Sequence, residues 1–225
     1  MPTRSGNLCM TPRCKKRRPV ADHDFETVNS EIIYVGSIFA LRADEVRMPA
    51  GNIAKREVIE HYGAVGIVAL DDENNIAMVY QYRHPIGRRL WELPAGLLDV
   101  GGEAPHLTAA RELEEEAGLA ASDWRVLADL VSTPGFTDES VRVYLATGLT
   151  EVARPEAHDE EADLQLKWLP LVEAVRMVFA GEIVNSLAVA GILAAHAMPN
   201  TGELRPVDAP WTDRPHALAE RKAAK

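Results

Sequence analysis

Apolar and polar positions along this chain follow two rhythms. Residues 31–62 alternate over short stretches: "EIIYVGSIFALR" at 31–42, "DEVRM" at 44–48 and "REVIEHY" at 56–62, with the turn "MPAGN" read as a hairpin connection. A few antiparallel strands form a layer too thin to bury much by itself, so it must lean on the body of the protein or on a second chain. Stronger strands follow at "AVGIVAL" (64–70) and "NIAMVYQY" (75–82), joined by the polar turn "DDENN". "RVLADLV" (125–131), "SVRVYLAT" (140–147) and "LQLKWLP" (164–170) complete the set. Helical spacing governs 105–117, 171–180 and 184–197, with Gly118 and Gly181 where helix stops belong. Strands and helices alternate irregularly, which predicts an α+β mixed sheet with helices packed on it rather than a doubly wound parallel fold. Residues 200–225, rich in Pro, Ala and charge, read as a loosely attached tail.

Composition narrows the class. The chain has 225 residues, 47% apolar and 26% charged, as expected for a globular protein with ample core. No apolar run approaches the ~18 residues of a membrane span, and the basic N-terminus lacks the apolar segment of a secretory signal. The net charge of −10 is uneven: residues 1–20 hold six of the 24 Lys and Arg and none of the 34 acids, leaving −16 on the rest. An acidic body disfavours nucleic acid, so "CKKRRP" (14–19) reads as part of a disordered extension over 1–22 rather than as a binding or targeting patch. Cys9 and Cys14 both lie in that extension at a spacing that fits no zinc pattern, and no other Cys exists. The default compartment is then a reducing cytoplasm.

The stretch that resists a purely structural reading is "AARELEEEAGL" (109–119), with Glu112, Glu114, Glu115 and Glu116 within five positions. Like charges one turn apart oppose a helix, and carboxylates near its C-terminus oppose the macrodipole. Something must compensate. On a helix, Leu107, Ala110, Leu113 and Ala117 form the stripe expected to face the sheet. Glu112, Glu115 and Glu116 share an adjoining face, Glu114 points to solvent, and Arg111 reaches Glu115 at i+4. Three carboxylates are oxygen-only ligation for a hard divalent cation, Mg2+ first.

Upstream, the Gly-rich "ELPAGLLDVGGE" leads into this helix. Together they read Gly96-x6-Glu103-x7-Arg111-Glu112-Leu113-x-Glu115-Glu116-x-Gly118-Leu119, which closely resembles the box of the Nudix hydrolase superfamily, G-x5-E-x7-R-E-U-x-E-E-x-G-U with U a bulky aliphatic residue. Eight specified positions from Glu103 onward agree in register; the loop after Gly96 is one residue longer than the pattern, which leaves its path open. The resemblance implies a Nudix-type α/β/α sandwich, divalent-metal catalysis, and attack on the diphosphate of a nucleoside diphosphate linked to another group. It implies Glu112 and Glu116 as principal metal ligands, Glu115 as an additional one, and the backbone carbonyl of Ala95. Gly96, Glu103, Arg111 and Gly118 become structural positions of the box.

The order of "REVIEHYGAV", "QYRHPIGRRLWELPAG", the box, "TPGFTDES" with Pro134 sixteen residues beyond Gly118, an acidic loop and "GEIVNS" is similar to the ADP-ribose pyrophosphatase branch. That branch implies Mg2+-dependent hydrolysis of ADP-ribose to AMP and ribose 5-phosphate, with Mn2+ as a second candidate ion. In the loop "EAHDEEADL" (156–164), Glu161, with Glu160 second, takes the role of directing the attacking water. Arg83 meets the diphosphate, Glu139 the ribose hydroxyls, and Arg56 reaches across from a partner chain, which makes the protein a homodimer. Residues 23–62 become a dimerisation layer and 63–199 the catalytic domain. No residue is assigned to adenine stacking; Ile38, Phe39 and Trp91 read first as packing. Other nucleotide sugars or an oxidised nucleoside diphosphate are alternative substrates. A non-hydrolysing ADP-ribose sensor is the alternative of another class, disfavoured by the complete set of carboxylates. No membrane or nucleic-acid partner is expected.

Overall fold

The computed structural model describes residues 23–154, 163–200 and 203–224. At the N-terminus, β1 (Thr27–Val35), β2 (Phe39–Arg47) and β3 (Ile53–His61) pair antiparallel in that order. The 31–42 run folds back at Gly36, whose N–H donates to Phe39 O at 2.8 Å, so it supplies parts of two strands. The predicted hairpin at 48–52 closes through Met48 N to Asn52 O, with Gly51 in the left-handed region at φ +86°.

The body follows with β4 (Ala64–Ala69), β5 (Asn75–Arg83), β6 (Arg88–Glu92), β7 (Ala95–Leu97), α1 (Pro105–Ala117), β8 (Leu119–Val131) and β9 (Ser140–Glu151). Then come β10 (Gln165–Pro170), α2 (Leu171–Phe179), α3 (Ser186–Ala197), β11 (Arg205–Pro206) and α4 (Ala217–Ala223). A five-stranded mixed sheet runs β11-β8-β9-β4-β7, with β4 and β9 parallel, and a three-stranded antiparallel sheet runs β10-β5-β6. Strand β4 shows why helices cover both faces. Val65, Ile67 and Ala69 pack into the core under α1 with Leu113 and Ala117, while Val68 and Leu70 pack under α2 and α3 with Ala174 and Ile192. Alternate residues of a strand point to opposite faces, so an uninterrupted apolar strand demands a layer on each side. The arrangement is the expected α+β sandwich, with the small antiparallel sheet before it. Helix α3 buries Ala188, Gly191, Ile192 and Ala195, which makes it a packing helix.

Three expectations change. Leu107 is 52% exposed; the buried stripe of α1 is Thr108, Ala109, Leu113, Glu116 and Ala117. Strand β8 begins at Leu119, six residues before the predicted start. Residues 203–224 are docked rather than loose. β11 pairs with β8, Arg142 donates to Ala209 O at 2.7 Å and Pro210 O at 3.0 Å, and Leu218 is fully buried.

Candidate active site

Helix α1 starts with Pro105 at its first turn and ends at Gly118, in the left-handed conformation at φ 64°, whose N–H closes on Glu114 O. Arg154 secures the same end by donating from Nε to Glu115 O at 2.7 Å. The Gly-rich segment before the helix is partly a strand: β7 pairs antiparallel with β4, placing Gly96 opposite Val65 and Ala95 opposite Gly66. Strand β7 in turn meets the carboxylates of α1. Glu116, only 7% exposed, accepts from Ala95 N at 3.0 Å. Glu112 lies so close over Gly96 that a Cβ there would stand 2.1 Å from its Cδ. A side chain at 96 would therefore push the Glu112 carboxylate off its place over β7. Glu112 and Glu116, one turn apart, converge on two adjacent residues of β7, Gly96 and Ala95.

Arg111 sits among the acids. Its Nη1 donates to Glu112 at 2.7 Å and to Glu115 at 2.9 Å, and its Nη2 stands 3.5 Å from Glu103. Thr108 Oγ1 also donates to Glu103, at 2.8 Å, so loop and helix are tied by two groups. Burial opposes the charge of Arg111, but the carboxylates of Glu112, Glu115 and Glu103 outweigh it and raise its pKa. Its Nε is buried without a hydrogen-bond partner among the described residues. Among the described residues, four carboxylates thus surround one guanidinium and one strand end, with more negative than positive charge.

Such a donor set fits a hard divalent cation: Glu112, Glu115 and Glu116 with the Ala95 carbonyl offer oxygen only, against a backbone held close by Gly96. Among the described residues, no three acidic, His or Cys side chains already stand together as an ion's ligands, and Arg111 engages two of these carboxylates.

The remaining predicted residues lie elsewhere. Arg83 at the end of β5 forms a two-point ion pair with Glu92, Nε to Oε1 at 2.9 Å and Nη2 to Oε2 at 2.6 Å. Glu92 is 3% exposed and precedes Ala95 by three residues, so the pair links Arg83 to the chain entering the box. Glu139 stands 3.6 Å from His61 Nδ1, in the loop between β8 and β9. Arg56 is exposed on β3, donating to Lys55 O and Met48 S, with no carboxylate partner among the described residues. Glu160 and Glu161 fall outside the described residues. Trp91 packs against the core and stacks on Tyr80 at 4.6 Å between ring centres; Ile38 is exposed. His61 and Arg154 carry no signal in sequence, because each meets a partner on a distant element, and Glu92 meets Arg83 only once β5 and β6 pair.

The model of the NUDIX domain matches residues 60–186. The chain belongs to the NUDIX family. A second model, the nucleoside diphosphate sugar hydrolase N-terminal domain, matches residues 25–59, the stretch that builds the antiparallel sheet. Among Nudix relatives, an ADP-ribose pyrophosphatase of Mycobacterium tuberculosis is 66% identical over 92% of this chain and 100% of its own length. A methanol dehydrogenase activator of Bacillus methanolicus is 38% identical over 74% of this chain and 90% of its own. In three dimensions the chain is similar to a crystal structure of an ADP compounds hydrolase, with a TM-score of 0.69 at 19% identity, covering 79% of this chain and 95% of the other. The last likeness speaks for the fold. The protein is a Nudix hydrolase. Among the described residues no helix is long and apolar enough to cross a membrane.

Proposed function

We propose that this Nudix hydrolase cleaves the diphosphate of ADP-ribose with water, giving AMP and ribose 5-phosphate. The observation that carries the reading is the convergence of Glu112 and Glu116 on the adjacent residues Ala95 and Gly96 of β7. The substrate is supported by the relative matched over its whole length, an ADP-ribose pyrophosphatase. Glu112, Glu115 and Glu116 with the Ala95 carbonyl would hold Mg2+, with Mn2+ second. When bound, the ion neutralises diphosphate oxygens and makes water a better nucleophile at neutral pH.

The chain's own residues do the rest. Arg111, fixed between Glu112 and Glu115, limits the rotamers those carboxylates adopt. Arg83, oriented at two points by Glu92, meets the substrate diphosphate; a guanidinium already oriented by a buried carboxylate loses little freedom on meeting a phosphate. Glu139 accepts from the ribose hydroxyls. Glu161, with Glu160 second, orients and deprotonates the attacking water.

The working form in this reading is a homodimer in the cytoplasm. Phe25, Ile33, Tyr34 and Ile38 are exposed on and beside the N-terminal sheet, an apolar surface that a second copy would cover. Arg56, on the same sheet, then reaches the neighbouring site. Residues 23–62 form that layer and 63–199 the catalytic domain. The only cysteines, Cys9 and Cys14, precede both, consistent with a reducing compartment. The sensor alternative finds no support in a box whose carboxylates are complete.

The test is product analysis by chromatography after incubating purified protein with ADP-ribose and Mg2+, beside other nucleotide sugars and 8-oxo-guanosine diphosphate. AMP and ribose 5-phosphate in equal amounts are expected. Turnover of another compound alone would replace the substrate, and binding of ADP-ribose without turnover would favour the sensor.

A further inference from the structure

The loop from Ser132 to Glu139 carries the residue assigned above to the ribose, yet it belongs to no regular element. It is held by the N-terminal sheet. Ile59, on the outer edge of β3, donates from N to Phe136 O at 2.7 Å and accepts from Asp138 N at 3.1 Å, and Thr137 bridges Ile59 in parallel fashion. His61 donates from its backbone N to Asp138 Oδ1 at 2.8 Å. The loop is thus a partial fourth strand on that sheet, and its position follows that of β3.

What fixes β3 lies between these two contacts in sequence. Glu60, 1% exposed, points to the opposite face of the strand from Ile59 and His61. Arg42 of β2 donates to it at 2.7 Å. Arg221 of α4 grips both its oxygens, Nε to Oε2 at 2.7 Å and Nη2 to Oε1 at 2.8 Å. The rest of the C-terminal segment clamps the same region. Lys222 donates to Ser37 O and lies 5.1 Å from the Tyr62 ring centre. Trp211 Nε1 donates to Ser140 Oγ at 3.0 Å, directly after Glu139. The C-terminal end of the ribose loop is therefore tied directly to Trp211, and its middle is tied to Arg221 through β3 and Glu60.

We propose that the C-terminal segment is a positioning element for the substrate loop, with Arg221 and Glu60 as positioning residues that act through β3 on Glu139. The inference rests on Glu139 contacting the substrate. Loss of the Arg221 fork frees β3 and the loop without touching the carboxylates of α1. Substrate affinity then falls and the chemical step is spared.

The experiment compares full-length wild type with Arg221→Met, which keeps the apolar stem, and with Glu220→Gln as a control on the same helix. Steady-state kinetics on ADP-ribose are measured beside amide hydrogen exchange. For Arg221→Met the expected result is a KM raised about tenfold with kcat within about twofold. The amides of Ile59 and Asp138 should exchange about tenfold faster while those of α1 keep their protection. Unchanged exchange at Ile59 and Asp138, or acceleration everywhere alike, would overturn the proposal. So would faster loop exchange with an unchanged KM. Should wild type leave ADP-ribose intact, the substrate reading fails, while exchange still decides whether Arg221 holds the loop.

Discussion

Two clusters of guanidinium and carboxylate groups in this protein are alike in chemistry and differ in balance. Around Glu60, two carboxylates (Glu60 and Asp44) meet two guanidinium groups (Arg42 and Arg221). Every charge there has a partner, and Ser30 Oγ donates to Asp44 as well. Around Arg111, one guanidinium meets Glu103, Glu112 and Glu115, and Glu116 adds a fourth carboxylate that a backbone N–H satisfies. The first cluster is neutral and joins elements from the two ends of the chain. The second carries a surplus of negative charge along one face of one helix, against a strand brought close by a glycine. A balanced buried network specifies structure, whereas a surplus that costs stability marks a place where a ligand makes up the difference.

The comparison breaks most sharply at Glu116. Glu116→Gln should lower kcat/KM about 10³-fold, roughly 4 kcal/mol of transition-state stabilisation, with urea unfolding unchanged or slightly favourable to the variant. Loss of fold together with activity would mean that the carboxylates of α1 are structural after all. Next comes Glu60→Gln, which leaves two part-buried guanidinium groups short of a charge. Urea unfolding should show a loss of about 3 kcal/mol, three-quarters of the free-energy effect at Glu116 but in stability instead of the chemical step. A stability loss under about 0.5 kcal/mol would show that the network is surface-like.

Acid sharpens the contrast further. The Arg221 hydrogen bonds hold Glu60 below its ordinary pKa near 4.5 despite burial, while burial raises Asp129 but Arg142 and Arg205 together outweigh it and hold it below 3.8. A carboxylate depressed on folding contributes stability above its unfolded pKa and loses it as pH falls through the folded value. Stability measured from pH 6 downward should fall below about pH 4.5 in the wild type, and less steeply in Glu60→Gln. The smallest effect is expected at Leu107: because it is exposed, Leu107→Lys should change stability by no more than about 0.5 kcal/mol, and a larger loss in thermal unfolding would restore it to the core.

The site was legible to the extent that its chemistry is written along one helix. Glu112, Glu115, Glu116 and Arg111 are neighbours in sequence, and 3.6-residue spacing alone puts them together. The stripe differs by one position because two series lead to Leu113 and Ala117, one from Leu107 through Ala110 and one from Ala109 at i+4; the second is the buried one, flanked by Thr108, which is bonded to Glu103. The antiparallel layer was legible from alternation, but not its grip on the loop at 132–139, since Ile59 uses only backbone groups there. The C-terminal docking had no local signal. Helix α4 is seven residues long without a side-chain cap, and what holds it, Glu60 and buried Leu218, depends on contacts with distant parts of the chain.

The central claim is that the surplus of carboxylates on α1 binds a divalent cation. Titration of Mn2+ followed by electron paramagnetic resonance, on wild type, Glu112→Gln and Glu60→Gln, tests it directly. Saturable binding in wild type and Glu60→Gln that is lost in Glu112→Gln is the predicted result. Equal binding in all three, or none in wild type, would contradict it.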